Sequence, residues 1–187
     1  MIKRLFDIVL SLISIIIFLI PFLVISFVIK VTSPGPTIYW SKRSGQHGKL
    51  FLMPKFRTMK VDTPEIETNK LLFTKKYITR FGSFLRKTSL DEIPQFITIL
   101  KGDMTLIGPR PALHNQNDLI KERKKLGIDF LKPGITGWAQ VNGRDTLEMN
   151  EKIQLDYFYL QNQSIFFDLK ILLITICVVL KFKNVSH

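Results

Sequence analysis

The first thirty residues constrain this chain more than any other stretch. From Leu5 to Ile29 it is almost wholly apolar, with Asp7 the only charge, Lys3 and Arg4 before the run and Lys30 after it. A run of about 20 apolar residues is enough to cross a bilayer. This one is too long for the core of a signal peptide, and no A-x-A-like cleavage site follows it. Pro21 lies inside the run, and a helical proline loses a backbone donor and collides with the preceding turn, so a kink or break is expected near Ile20. Basic flanks on both sides set no orientation under the positive-inside rule. Composition leaves two arrangements open: a kinked span, or a helical hairpin that enters and leaves by the same face.

With 187 residues, the remainder suffices for one compact domain. A formal charge of +12 calls for an anionic partner: nucleic acid, acidic lipid headgroups or phosphorylated small molecules. The apolar opening favours the membrane. The aromatic residues are not interleaved with the basic patches as single-strand recognition requires, which argues against nucleic acid. Cys177 is the sole cysteine, so no internal disulfide can form, and His47, His114 and His187 are too scattered to make a zinc site.

Thr32-Ser33-Pro34-Gly35-Pro36 closes the apolar segment. The β-prone runs Ile38-Tyr39-Trp40 and Leu50-Phe51-Leu52 flank the turn-rich Ser44-Gly45-Gln46-His47-Gly48, which predicts a β-hairpin. Lys42, Arg43, Lys49, Lys55 and Arg57 make that hairpin basic, either as a site or as a solvated edge. A polar loop is expected from Asp62 to Asn69. Helices are expected from about Lys75 to Arg86 (interrupted near Gly82), from about Asp91 to Lys101 (stopping at Gly102), and from Asn117 to Leu126. Ile171 to Leu180 is apolar except for Thr175 and too short to span a membrane, which leaves a core helix or an interfacial one.

Three segments carry the candidate chemistry. In Ser89-Leu90-Asp91-Glu92-Ile93-Pro94-Gln95, Ser89 and Glu92 have the spacing of a capping box, which would make Glu92 a helix cap. Pro94 complicates that reading, because it fits the first turn of a helix only if Asp91 is the N-cap. Either version puts Asp91 at the positive end of a helix, which keeps a carboxylate ionised and attracts phosphate. Adjacent helical residues point about 100° apart, so separate roles are expected for Asp91 and Glu92. One carboxylate can attack phosphorus, and Mg²⁺ binds through one or two carboxylates plus substrate phosphates. In Gly108-Pro109-Arg110-Pro111, two prolines stiffen the backbone around an arginine suited to phosphate, or around one that is merely solvated. In Pro133-Gly134-Ile135-Thr136-Gly137-Trp138-Ala139-Gln140-Val141-Asn142-Gly143-Arg144, glycines allow close backbone approach and Arg144 ends a basic loop that is neither a Walker A loop nor a G-x-G-x-x-G fingerprint.

Taken in order, these pieces resemble the bacterial sugar transferase family of monotopic phosphoglycosyl transferases. Lys55-Phe56-Arg57-Thr58-Met59, Leu100-Lys101-Gly102-Asp103-Met104, Asp156-Tyr157-Phe158-Tyr159 and the stretch from Ser164 to Lys170 also match, so the likeness covers nearly the whole chain. It implies an α+β, mostly helical fold: a re-entrant membrane helix hairpin broken at Pro21 (residues 1–31) and a small cytoplasmic catalytic domain with a β-hairpin and surface helices (32–187). It implies that Asp91 attacks the β-phosphate of a UDP-sugar, expelling UMP and forming a covalent phosphosugar enzyme, and that undecaprenyl phosphate then takes the phosphosugar as the first membrane step of glycoconjugate and polysaccharide assembly. It further implies Mg²⁺ held with Asp91 and Glu92, and substrate binding by Lys55, Arg57, Arg86, Pro109, Arg110, Pro111, Gln140 and Arg144. The expected place is the cytoplasmic face of a bacterial inner membrane, in contact with membrane lipid, and a homodimer is compatible with it.

This chain departs from many relatives in having Ile20-Pro21 where they carry Ser-Pro, so it lacks a hydroxyl that could bond back along the helix and bend it. It also resembles the minimal catalytic form, without the extra N-terminal membrane helices of larger relatives. A membrane-bound nucleotide-sugar pyrophosphatase, with water in place of the lipid, is the competing enzymatic reading.

Overall fold

The computed structural model describes residues 2–64, 74–143 and 146–180. The apolar opening forms α1 (Ile2–Ile17) and α2 (Leu19–Thr32), bent by 58° at the break between them. The break falls at Phe18, two residues before Ile20. Proline has no N–H for the carbonyl four residues earlier and its ring crowds that carbonyl, so Pro21 acts on Ile17 and disrupts the turn before itself. Pro21 then occupies the third position of α2, where its missing donor is no loss. Among the described residues no single helix is long and apolar enough to cross a membrane, though the bent pair has the length and composition.

One face of α1 is bonded to the rest of the chain. The Asp7 carboxylate, 4% exposed, accepts from Thr105 Oγ1 at 2.7 and 2.9 Å and from the Leu106 N–H at 2.9 Å. Arg4 donates to the Ile99 and Leu100 carbonyls at 2.6 and 2.8 Å, satisfying acceptors at the end of a later helix. Lys3 pairs with Asp168 and donates to the Tyr159 hydroxyl at 3.1 Å. The opposite face of α1 leaves Ile2, Leu5, Val9, Leu12, Ile13 and Ile16 exposed. Along α2, Ile25 and Ile29 are buried while Leu23, Val24, Phe27 and Val31 are exposed.

The expected hairpin forms as antiparallel strands β1 (Ile38–Ser44) and β2 (Leu50–Phe56), with Ile38 opposite Phe56 and Lys42 opposite Leu52. A short helix α3 (Thr74–Tyr77) precedes α4 (Arg80–Thr88). The interruption expected at Gly82 lies earlier, at Ile78 and Thr79, because Thr79 caps α4 by accepting from the Gly82 N–H at 2.9 Å. A 3-10 segment, Leu90–Gln95, then leads into α5 (Phe96–Lys101), which stops at Gly102 in the left-handed region as expected.

Two three-residue strands that the sequence pattern did not reveal, β3 (Thr105–Ile107) and β4 (Gly134–Thr136), pair in parallel. Between them come the 109–112 turn and α6 (Asn117–Lys125). The backbone is crowded where these strands end. A Cβ on Gly137 would lie 2.1 Å from the Gly108 carbonyl oxygen, so only glycine fits. After β4 come α7 (Trp138–Val141), α8 (Met149–Gln161), which opens with a Glu148/Glu151 capping box, and α9 (Ile165–Leu180). The last begins two turns before the expected apolar stretch, with Ser164 Oγ accepting from the Phe167 N–H.

The architecture is thus α+β and mostly helical, with small sheets. Two apolar clusters support it. Met53, Ile99, Met104, Leu106, Ile107, Tyr159 and Ile171 form one, and Ile25, Ile29, Phe56, Leu85 and Ile93 form the other. Strand β2 feeds both, through Met53 and Phe56, and Lys55 lies between those residues.

Asp7→Leu strands the buried Leu106 N–H and Thr105 hydroxyl without an acceptor. The expected loss is about 3 kcal/mol, or about 6–12 °C in the midpoint of thermal unfolding for a chain of this size. Circular dichroism in detergent micelles reads this directly, and an unchanged midpoint would contradict the anchoring role.

Candidate active site

The carboxylate pair sits in the 3-10 segment Leu90–Gln95. Ser89 before it adopts the left-handed conformation (φ 58°, ψ 14°), turning the chain sharply after α4, and its side chain caps nothing. The tighter 3-10 path accommodates Pro94 without the α-helical bond that proline would break. The capping-box expectation therefore fails locally: Glu92 turns away from the Ser89 backbone and toward cations.

Asp91 and Glu92 are only 7% and 9% exposed. Carboxylates so placed stay ionised only beside positive charge. Lys55 supplies it from β2, its Nζ donating to Glu92 Oε1 at 2.8 Å and lying 3.9 Å from Asp91 Oδ2. Arg110 Nη1 donates to the same Glu92 oxygen at 3.3 Å. The neighbouring carboxylates thus share one ammonium, closer association than their angular separation suggested, with the tighter bond on Glu92. Burial pulls the Lys55 ammonium below its ordinary value; Glu92 opposes this, Arg110 adds to it, Asp91 opposes and Arg43 adds. Arg43 is pushed down to about 10 by burial and by Arg110, against Glu92 and Tyr39, and stays charged at neutral pH.

The turn bearing Arg110 is held by its carbonyls. The Pro109 oxygen accepts from the Gly134 N–H at 2.9 Å, the Arg110 oxygen from Arg123 Nη1 at 2.8 Å, the Pro111 oxygen from Arg43 Nη1 at 3.1 Å and the Ala112 oxygen from the Ser44 N–H at 2.9 Å. Arg123 is fixed in turn by Asp156, whose Oδ2 accepts from Nε at 3.1 Å and from Nη2 at 2.5 Å. Burial raises the Asp156 carboxyl above the usual carboxylate range, and Arg123 opposes the rise. Below this layer, the Tyr159 hydroxyl donates toward Asp168 Oδ1 at 2.6 Å, with the Ile107 carbonyl 3.2 Å away. Burial, then Asp168, pushes its pKa up.

Of the residues singled out in the sequence, Lys55, Asp91, Glu92 and Arg110 come together, and Pro109 and Pro111 frame Arg110. Arg57 lies elsewhere in its bonding: Nη1 and Nη2 donate to the Pro34 and Ser33 carbonyls at 2.6 and 2.8 Å, locking the exit from α2 onto β2. Arg86 stands in the last turn of α4, three residues before the left-handed Ser89. Gln140, on α7, is 7% exposed, and neither amide atom has a hydrogen-bond partner among the described residues. Arg144 lies outside the described residues. Sequence reasoning passed over Arg43, Arg123 and Asp156. Arg43 was visible only as one charge of a basic hairpin and Arg123 as one of a charged surface helix, while Asp156 belonged to a matching motif whose role the pattern did not disclose.

Among the described residues no group of three or more His, Cys, Asp or Glu side chains converges as a self-sufficient metal cage. Two adjacent carboxylates are the donor set that Mg²⁺ uses when substrate phosphates and water complete its shell, and Asp91 and Glu92 fit that requirement.

Comparison with known proteins fits this geometry. The profile of the family described as bacterial sugar transferase matches residues 1–182. The chain is 41% identical over 160 residues to the uncharacterized sugar transferase EpsL of Bacillus subtilis, covering 86% of this chain and 78% of that protein. It is 38% identical over 183 residues to the UDP-glucose:undecaprenyl-phosphate glucose-1-phosphate transferase of Escherichia coli, covering 94% of this chain and 39% of that protein. Against the undecaprenyl-phosphate galactose phosphotransferase of Salmonella typhimurium the figures are 38% over 197 residues, 96% and 40%. The chain therefore spans less than half the length of these two named transferases.

Lys55 is expected to release its proton below 10.5, and Glu92→Gln to lower that value further because the Glu92 charge supports the ammonium. The unfolded chain keeps this proton up to its ordinary value. Between the folded value and 10.5 it therefore binds more protons than the native state, and this group's contribution to stability rises with pH. An NMR titration of ¹³Cε-labelled lysine follows it, and a Lys55 midpoint at or above 10.5 would contradict the site's burial and charge pattern.

Proposed function

This chain belongs to the bacterial sugar transferase family, and from that premise we propose that it moves a sugar 1-phosphate from a UDP-sugar to undecaprenyl phosphate, releasing UMP. One observation carries the reading most: two adjacent buried carboxylates that share the Lys55 ammonium, with Arg110 closing on Glu92. Such a site has a nucleophile and the positive charge to receive a diphosphate.

In the proposed reaction a carboxylate oxygen of Asp91 bonds to the β-phosphorus of the donor. The bond from that phosphorus to the oxygen bridging toward the α-phosphate breaks, and UMP leaves with its electron pair. A phosphate oxygen of undecaprenyl phosphate then bonds to the same phosphorus, the bond to Asp91 breaks, and the carboxylate is restored beside a diphosphate-linked lipid. Asp91 is assigned the attack as the family resemblance implies, with its Oδ2 3.9 Å from the Lys55 ammonium that Glu92 also holds. Glu92 sets Lys55 and Arg110 where charge builds on the phosphoryl oxygens. Asp91 and Glu92 would hold Mg²⁺, which when bound would supply countercharge for the departing UMP. Arg86, Gln140 and Arg144 are assigned to the donor, Gln140 on the strength of its buried and internally unbonded amide.

The reading extends to the membrane. Residues 1–31 form a re-entrant element and the rest a domain on the cytoplasmic face of a bacterial inner membrane. Both arms of the hairpin fasten to the same body, α1 through Asp7 on Thr105 and Leu106, and α2 through Ile25 and Ile29 beside Phe56. Anchorage of both arms on one domain supports a re-entrant arrangement over a span. The hairpin's exposed apolar faces, together with Phe166, Leu173 and Ile176 on α9, would then meet lipid. Basic residues near the surface add about 1 kcal/mol each on anionic lipid.

The test is UMP release from a panel of UDP-sugars with Mg²⁺, with and without undecaprenyl phosphate. Wild-type protein is expected to form glycosyl diphosphate lipid, and Asp91→Asn to lose turnover by about 10³-fold or more while remaining folded. Sustained UMP release that needs no polyprenyl phosphate would favour the pyrophosphatase instead, and normal turnover by Asp91→Asn would rule out attack by that carboxylate.

A further inference from the structure

We propose that Arg123 and Asp156 are positioning residues that aim the Arg110 guanidinium at the transferring phosphate from behind the 109–112 turn, a role that rests on the transferase reading above. Four successive carbonyls of that turn are each held by a different donor, three of them on β4, β1 and α6 and one on the last residue of β1. Pro109 and Pro111 bring no N–H of their own, so the carbonyls are the handles by which the turn can be fixed. The handle on Arg110 itself is Arg123, which donates through Nη1 while Nε and Nη2 both lie on Asp156 Oδ2. From the same residue the Arg110 side chain reaches Glu92, its Nη1 donating to Oε1 at 3.3 Å. Arg110 is thus held at both ends, its carbonyl by Arg123 and its guanidinium on Glu92.

Stability alone does not account for this pair. Asp156 is 1% exposed, and a buried ion pair contributes little net stability because desolvation offsets its attraction. What an arginine on a buried carboxylate provides is direction: two of its nitrogens are held on Asp156, which aims the third at the Arg110 carbonyl. Burial also raises the Asp156 carboxyl, consistent with a carboxylate that depends on Arg123 for its charge. Removing the carboxylate frees Arg123 to turn into the cleft that it lines with Pro109, Pro111 and Ile120, and the Arg110 carbonyl loses its donor.

A double-mutant cycle separates this role from general support. Arg123→Lys keeps the charge but cannot span Asp156 and the Arg110 carbonyl together. With full-length protein it is expected to lower kcat/KM for UMP release about tenfold or more, yet less than about twofold when Arg110 is already alanine. Asp156→Asn is expected to behave in the same way. Should it fail to fold, Arg123→Lys on the partly exposed α6 carries the cycle alone. Binding of inorganic pyrophosphate by calorimetry to the four proteins gives a second cycle that involves no turnover, and the same non-additivity is expected there. No UMP from any UDP-sugar with a non-additive pyrophosphate cycle would refute the transferase and keep the positioning role. UMP formation with losses that simply multiply in both cycles, or no loss in Arg123→Lys, would overturn the positioning role and leave the transferase standing.

Discussion

Two neighbouring carboxylates, each less than a tenth exposed, can remain charged only if cations are brought to them, and much of the fold serves that need. The 3-10 segment presents Asp91 and Glu92, β2 delivers Lys55, and the 109–112 turn delivers Arg110. Each of these carriers is secured by something else. The left-handed Ser89 sets the angle of the segment, the hairpin register places Lys55 between two apolar clusters, and donors on four carbonyls immobilise the turn. The result is a charge cluster in which Lys55 is largely withdrawn from water while the half-buried Arg110 guanidinium stays open to an incoming phosphate.

The same logic explains the one acidic residue in the apolar opening. Asp7 would be costly in hydrocarbon and is instead spent on the edge of the β3–β4 pair, where it fastens α1 beneath the strand that leads into the Arg110 turn. Lys3 and Arg4 add bonds to α9, α8 and the end of α5. The helix that reads as a membrane segment is thus also a structural floor for the site. In the proposed setting this keeps the carboxylates at a fixed height over the lipid, as a reaction between a soluble donor and a lipid-borne acceptor requires.

Sequence reasoning reached the hairpin because β-prone runs and turn residues are local signals, and it reached Asp91, Glu92 and Arg110 because prolines and paired charges mark unusual backbone. It expected the break in the opening helix near Ile20, two residues from its place at Phe18, because proline acts on the turn before itself. The local S-x-x-E pattern offered a cap as one reading of Glu92 beside the chemical one, whereas Lys55 and Arg110, which bond to it, lie 37 and 18 positions away. Arg123 and Asp156 are 33 positions apart, and nothing near either one announces the other. Strands β3 and β4 are too short for alternation to show, and α8 mixes apolar and polar residues without a clean stripe. Arg57 illustrates the converse: it belongs to a recognisable basic segment, yet its guanidinium ties down the Ser33-Pro34 exit.

The central claim is that Asp91 takes phosphorus from the donor before any lipid is present. Intact-protein mass spectrometry of wild-type protein given its UDP-sugar and Mg²⁺ without polyprenyl phosphate, followed by peptide mapping, addresses it directly. The account expects an added sugar phosphate on the peptide containing Asp91, discharged when undecaprenyl phosphate is supplied. An unmodified protein under conditions where UMP and glycosyl lipid form once the acceptor is added, or an adduct on another residue, would contradict it.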